Sequence, residues 1–245
     1  MPIGCFLLLL FSGILTASRA QGQVQEYIIN GDFETMSSCP IEPGEIRLAT
    51  GWQGNEGTPD YLHTCSEQRR DSVDVLRNFS GYRKAYEGEG QAGLYLLHYN
   101  TTRGAKENYA SHEVIYTKLS RPLTVGKTYH IRFFLSLADS SGIASDSIYV
   151  SFSRSPSFTK HYELVEPDVS KGIAVARQHT WQVVEADFTA TEPFSYCYLG
   201  LPRRKVSRLA YRTIIGQGLQ AGRLQGRFVL NAYYFIDNVS LTERE

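Results

Sequence analysis

The sequence is short of most features that mark a catalyst or a nucleic-acid binder. Lys and Arg number 25 and so do Asp and Glu, for a formal net charge of zero. A neutral chain has no overall pull toward nucleic acid. Past the first residues there is no apolar run long enough to cross a bilayer, so no transmembrane segment is expected. No internal repeat, low-complexity tract or alternation of strand and helix patterns is present. No Gly-x-Ser-x-Gly nucleophile signature occurs. Paired carboxylates for glycoside hydrolysis must face one cleft, and no pair declares itself. Cysteines are scarce, at four.

What is present begins with a segment that does not belong to a fold. Met1-Pro2-Ile3-Gly4 leads into an apolar stretch from Cys5 to Phe11, and Ser18-Arg19-Ala20 follows. This order reads as a signal peptide over residues 1–20, cut after Ala20. The chain is therefore expected to be secreted or cell-envelope associated. Export leaves Cys39, Cys65 and Cys197. Thiols outside the cytoplasm tend to pair. Cys39 and Cys65 sit in loop-like sequence and are expected to form the disulfide, while Cys197, between Tyr196 and Tyr198, is expected to be a buried thiol. The other pairings stay open on sequence alone.

Residues 21–245 fit a single all-β domain. Residues 128–137 alternate: Tyr129, Ile131, Phe133, Leu135 and Leu137 share one face, with Phe134 breaking the pattern. Further strands are expected at 93–99, 113–119, 147–153, 181–188, 196–201 and 232–242. Turns rich in Gly, Pro, Asp and Ser separate them. Many short strands with polar connections predict a β-sandwich or jelly roll. Two stretches depart from this. Residues 39–86 form a long, strand-poor excursion dense in Gly, Asp, Asn and aromatics, and loops of that length are usually functional. Residues 202–227 carry seven Lys/Arg and no acid, and Val206, Leu209, Ala210, Thr213 and Ile214 recur at helical spacing. That spacing predicts one short basic amphipathic helix, which could meet an anionic glycan or a lipid headgroup, or be a solvated flap.

The two ends carry acids among apolar residues: Asn30-Gly31-Asp32-Phe33-Glu34 at the start, and Tyr234-Phe235-Ile236-Asp237-Asn238-Val239-Ser240-Leu241 at the finish. Period-two alternation places Phe235, Asp237, Val239 and Leu241 on one face. A carboxylate there needs compensation. An Arg or a backbone cap would do; so would a calcium ion shared by Glu34 and Asp237.

These end motifs resemble the galactose-binding-like jelly rolls of many carbohydrate-binding modules. Ala49-Thr50-Gly51-Trp52, 58–65 (Thr-Pro-Asp-Tyr-Leu-His-Thr-Cys), Gly81-Tyr82 with Ala85-Tyr86, and 136–141 (Ser-Leu-Ala-Asp-Ser-Ser) are similar to a narrower group of exported Bacteroidetes cell-envelope proteins. The resemblance implies a structural calcium, with side chains from Glu34 and Asp237, the backbone carbonyl of Asp32, and carbonyls near Thr50. It also implies binding to a glycan or cell-envelope polysaccharide without catalysis. Candidate ligand residues are the aromatics Trp52, Tyr61 and Tyr86 of the excursion, with Asp60 and His63 (or Arg83) as polar partners. Trp52 is expected toward the core and Tyr61 toward the surface. Rival readings are a structural or adhesive module with no sugar site, and a hydrolase using the Asp60/His63 loop.

Overall fold

The computed structural model describes residues 25–66, 73–100, 109–142, 144–145, 148–156, 180–200 and 231–244. The expected signal segment and the basic stretch 202–227 lie outside these residues. The described strands are β1 Trp52–Glu56, β2 Asp60–His63, β3 Arg77–Asn78, β4 Gly81–Tyr82, β5 Gly90–Asn100, β6 Tyr109–Ser111, β7 Val114–Lys118, β8 Thr128–Leu137, β9 Tyr149–Ser153, β10 Gln182–Thr189, β11 Tyr196–Gly200 and β12 Asn231–Glu243. Helix among the described residues is limited to 3-10 turns at Ile46–Leu48 and Thr64–Ser66.

Two antiparallel sheets carry the fold. The smaller runs β1-β7-β11-β9; the larger runs β10-β8-β12-β5-β2, with β6 added beside β5. From β7 to β12 each successive strand crosses to the other sheet, which is the winding of a sandwich of the jelly-roll kind. The core between the sheets takes alternate residues from both. Ile115, Val150, Phe152, Cys197 and Leu199 come from the smaller sheet; Tyr61, Leu94, Ile131, Phe133, Leu135, Leu137, Tyr234 and Ile236 come from the larger. Burial of that apolar area is the main source of stability, at roughly 25 cal/mol per Å² removed from water.

The larger sheet is covered on its outer face too. Leu62, Val73, Val75, Ala85, Ala138, Tyr233 and Phe235 form a second apolar cluster there, with Tyr95 and Trp181 against it. Residues 73–86 of the excursion therefore roof the sheet. This explains why Phe134 departs from the alternation of β8: it points outward, and the Tyr86 ring stacks on it at 3.5 Å.

Two expectations are corrected here. The excursion is not strand-poor, since it holds β1 through β4, and β1 and β2 form edges of the two sheets. Every residue of β2 is buried, so alternation does not announce it. The reading of one continuous face along the last strand also fails. Ala232, Tyr234 and Ile236 face the core, Tyr233 and Phe235 face outward, and then Val239 and Leu241 face the core. The register against β8 shifts between Asp237 and Ser240, and Asn238 there has φ of 50°. An extra residue at such a bulge reverses the parity of everything after it.

Candidate functional site

The two end motifs do meet, through backbone more than through acids. The Val239 N–H donates to the Gly31 carbonyl at 2.8 Å, and Tyr27 N–H to the Leu241 carbonyl at 2.9 Å. A Cβ on Gly31 would collide with the Val239 carbonyl oxygen, so this close approach requires glycine. Asn30 organises the turn that follows it. Its Oδ1 accepts from Thr35 N–H at 2.7 Å, and its Nδ2 donates to the carbonyls of Thr35 and Thr50. Asn30 and Phe33 both have positive φ, a conformation that Asn tolerates better than most residues.

Glu34 and Asp237 are both held by the loop that precedes β5. Glu34 Oε1 accepts the N–H groups of Glu89 and Gly90, each at 2.8 Å. Asp237 is fully buried; its Oδ2 accepts Glu87 N–H at 3.1 Å and its Oδ1 accepts Asn238 N–H at 2.6 Å. Burial pushes the Asp237 carboxyl up to about 7, against the pull of these N–H donors, and the Glu34 charge adds to the rise. The backbone cap anticipated as one option is thus present at both acids. Among the described residues no group of three or more His, Cys, Asp and Glu is placed to hold a metal. The pair fits a hard cation in its donor chemistry, two carboxylates with one of them buried, but the remaining ligands would have to be carbonyl oxygens or water. Thr50 O already accepts from Asn30, and the Asp32 side chain is exposed.

A second acid pair lies under the roof. Asp60 Oδ2 accepts the Tyr233 hydroxyl at 2.5 Å and Oδ1 accepts Gly44 N–H at 2.6 Å. Glu113 Oε1 accepts Thr58 N–H and Oε2 accepts Tyr95 N–H, each at 2.8 Å. Burial lifts Asp60 to about 6 and Glu113 to about 7, and the charge of Asp60 contributes to the rise at Glu113. Each carboxylate pins a turn, Asp60 the one at Gly44 and Glu113 the one at Thr58. Sequence reasoning missed Glu113, because a lone acid at the start of a strand carries no pattern.

Four of the five candidate ligand residues are inside. Trp52 is fully buried, stacked on Phe33, with its Nε1 donating to the Asn30 carbonyl at 2.8 Å. Tyr61, expected on the surface, is also fully buried, and its hydroxyl donates to the Phe33 carbonyl at 2.8 Å. The correction follows from β2: Tyr61 occupies its core face. Asp60 and His63 are 2% and 4% exposed. They lie three apart on β2, so their side chains leave opposite faces, with Asp60 on the Tyr233 side and the His63 ring 5.8 Å from Tyr61. The Asp60/His63 pair imagined for hydrolysis is not assembled. Arg83 is buried and reaches Asp139 at 3.5 Å.

Tyr86 alone of the five reaches solvent, at 40%. Its ring lies flat on Phe134 and meets Trp181 edge-on, centroids 6.1 Å apart. The Trp181 Nε1 donates to the Lys84 carbonyl at 3.2 Å, which fixes the indole against the same segment. Phe79 and Tyr82, exposed at 41% and 59%, come from the β3–β4 hairpin just before it. Trp181, 95 residues from Tyr86 in the chain, was not singled out by sequence; only the pairing of β10 with β8 brings it there.

The disulfide joins Cys39 to Cys65, with Cα atoms 6.0 Å apart, and Cys197 is a free, buried thiol, both as expected. Burial pushes that thiol well above the ordinary cysteine range. No helix among the described residues is long and apolar enough to cross a membrane.

No family model matches the chain, and no curated protein matches it. Solved structures do. The K1 cleaved adhesin domain of Lys-gingipain from Porphyromonas gingivalis W83 is 12% identical, covering 83% of this chain and 97% of that one, at a TM-score of 0.38. The CBM22-1 xylan-binding domain from Paenibacillus barcinonensis Xyn10C is 12% identical over 79% and 85%, at 0.37. The enzymatically active domain of bacteriophage CBA120 tailspike protein 4 is 9% identical over 89% of this chain but 21% of that one, at 0.40. These are partial likenesses of fold; the chain's own strands make it an all-β, two-sheet antiparallel sandwich wound in the manner of a jelly roll.

Proposed function

We propose that the chain is an exported, non-catalytic carbohydrate-binding module acting on a glycan or cell-envelope polysaccharide. The observation that carries this reading is Tyr86, a ring both exposed and packed in place, backed by Phe134 and buttressed by Trp181. A sugar presents C–H groups on one face, and a pre-positioned ring receives that face without further ordering cost. Tyr82 and Phe79 are further exposed aromatics of the same segment. The disulfide supports export, because such bonds persist in oxidising compartments, and the apolar run before Ala20 supports it independently. Structural calcium at Glu34 and Asp237, with the Asp32 carbonyl, belongs to the same proposal. Its role would be to hold the chain ends, and the buried carboxyl of Asp237, on which no cationic side chain acts strongly, is what supports it.

A structural or adhesive envelope module without a sugar site is the second reading. It is favoured by the burial of Trp52, Asp60, Tyr61 and His63.

A glycan array followed by calorimetric titration separates the two. Tyr86→Ala is expected to weaken binding by about 1 kcal/mol, the scale of one aromatic contact, and to lower stability only by a similar amount through the lost stack on Phe134. Trp52→Ala is expected to do the opposite, costing about 3–5 kcal/mol of stability. An array on which the wild type binds nothing would move the assignment to the structural reading.

A further inference from the structure

We infer that Asp237 is the positioning residue of the proposed sugar site: from the bulge in β12 its carboxylate anchors the backbone beside Tyr86, and so fixes where the Tyr86 ring lies. The inference rests on the carbohydrate-binding reading and names what holds that site.

The anchor and the ring's backing are neighbours on the sheet. Asp237 stands opposite Phe134 in the β12–β8 register. It follows Tyr233 and Phe235 at period two, so it leaves β12 on the roofed face, as Phe134 leaves β8. The Tyr86 segment meets both at once. Its ring stacks on Phe134 at 3.5 Å. The next N–H along the chain, that of Glu87, donates to Asp237 Oδ2 at 3.1 Å, and the Tyr86 N–H faces the same carboxylate.

The rest of this turn is held by the same two chain ends. The Asn238 amide donates to Glu87 Oε2 at 3.0 Å. Glu34 Oε1 accepts from the N–H groups of Glu89 and Gly90. Gly88 lies between these grips with φ of 67°, and a Cβ there would strike the Glu34 carboxylate.

A buried carboxylate is costly unless donors meet it. Asp237 is 0% exposed and forms no ion pair among the described residues. Both its oxygens are spent on backbone: Oδ1 on the Asn238 N–H inside the bulge, Oδ2 on the roof. An amide in its place has one acceptor and one donor group, so it keeps only one of these bonds. The bulge re-aims a side chain, as bulges do, and here it ties the roof to the sheet next to Phe134. Without that tie the ring is ordered only when a ligand binds, and affinity falls by the cost of ordering it.

The test uses the full chain in EDTA, so that no bound ion contributes. Trp181 meets Tyr86 edge-on and is one of two tryptophans; the other, Trp52, is fully buried. Acrylamide quenching of Trp181 emission, identified by its loss in Trp181→Phe, therefore reports the Tyr86 ring without a ligand. Asp237→Asn should raise the Trp181 quenching constant. It should also weaken binding to xylan, mannan or polygalacturonate, whichever the wild type binds, by about five-fold, the ordering cost of one side chain. In a Tyr86→Ala background the same change should cost no further affinity, because Asp237 acts through that ring. Glu113→Gln, which alters a buried carboxylate held by the Thr58 and Tyr95 N–H groups, should leave quenching and affinity as in the wild type. A check that needs no variant is hydrogen exchange: the Glu87 amide should exchange slowly although its side chain is exposed. Fast exchange of that amide, wild-type quenching and affinity in Asp237→Asn, an equal loss in the Tyr86→Ala background, or the same changes in Glu113→Gln each overturn the inference. A wild type that binds none of the three polysaccharides overturns the carbohydrate reading, and the Trp181 signal then decides the anchor alone.

Discussion

Raising the pH from 5 to 8 is expected to destabilise this protein, and buried Glu113 is one clear reason. In the unfolded chain a glutamate titrates near 4.5, whereas burial holds folded Glu113 at about 7. The folded state therefore keeps its proton over a range in which the unfolded state has lost it. The stabilisation this provides is complete below 4.5 and is lost as pH rises through 7. At about 1.4 kcal/mol per unit between the two values, the loss amounts to roughly 3 kcal/mol. For a domain of this size that is on the order of 6–12 °C in melting temperature. Asp60 and Asp237 act in the same direction, being raised to about 6 and about 7. Asp187 and Glu243 are shifted downward by partners such as His130, Arg244 and Lys127. Their contribution has the opposite sign and falls away only in more acidic solution. Scanning calorimetry from pH 4.5 to 8.5 on the wild type and on Glu113→Gln checks the argument. The glutamine cannot accept from both Thr58 and Tyr95 N–H groups, so the variant should be less stable at pH 5, by about 1–3 kcal/mol for the unsatisfied donor. Its melting temperature should also vary less with pH. A wild type that gains stability steadily from pH 5 to 8, or a variant with the wild-type slope, refutes the reasoning.

Calcium is expected to raise the melting temperature, by mass action on the folded state alone, and Asp237→Asn to remove that gain; coincident melting curves in calcium and in EDTA would refute the site. Gly31→Ala should cost about 3 kcal/mol or more, because the obstructing atom is the backbone carbonyl of Val239 rather than a side chain that could swing aside; a melting temperature within a degree or so of the wild type would show that the ends do not approach this closely.

Much of the sandwich was legible because its strands bury one face or end at turns. Strand β8 spans residues 128–137 as its alternation implied, and the apolar finish of the chain is indeed a strand, β12. Legibility failed where a second layer covers the sheet. Strand β2 buries Tyr61 in one cluster and Leu62 in the other, so its period-two signal vanishes and four residues are left to speak for a strand. It failed again at Asp237, where a bulge centred on a positive-φ asparagine changes which residues share a face; side-chain type does not mark such a register change. The candidate site shows the same division. Tyr86 follows a turn-rich stretch and could be singled out from its neighbours, but it meets Phe134 only because residues 73–86 fold over β8, and Trp181 only because β10 pairs with β8. Trp52 and Tyr61 had the composition of a sugar platform and the positions of core residues, and hydrogen bonds to the carbonyls of Asn30 and Phe33 satisfy the polar atoms that might have drawn them outward.

Of the described strands, the one at the centre of the larger sheet comes last in chain order: β12 lies between β8 and β5. Until residues 231–243 are available, both neighbours carry an open row of N–H and C=O groups, and the core lacks Tyr234, Ile236, Val239 and Leu241. Folding during synthesis is therefore frustrated at its middle, and the long separation between paired segments makes closure slow once it begins. Such a delay exposes the edges of β5 and β8 to mispairing, but it also keeps the chain threadable through a narrow channel for as long as its final strand is withheld.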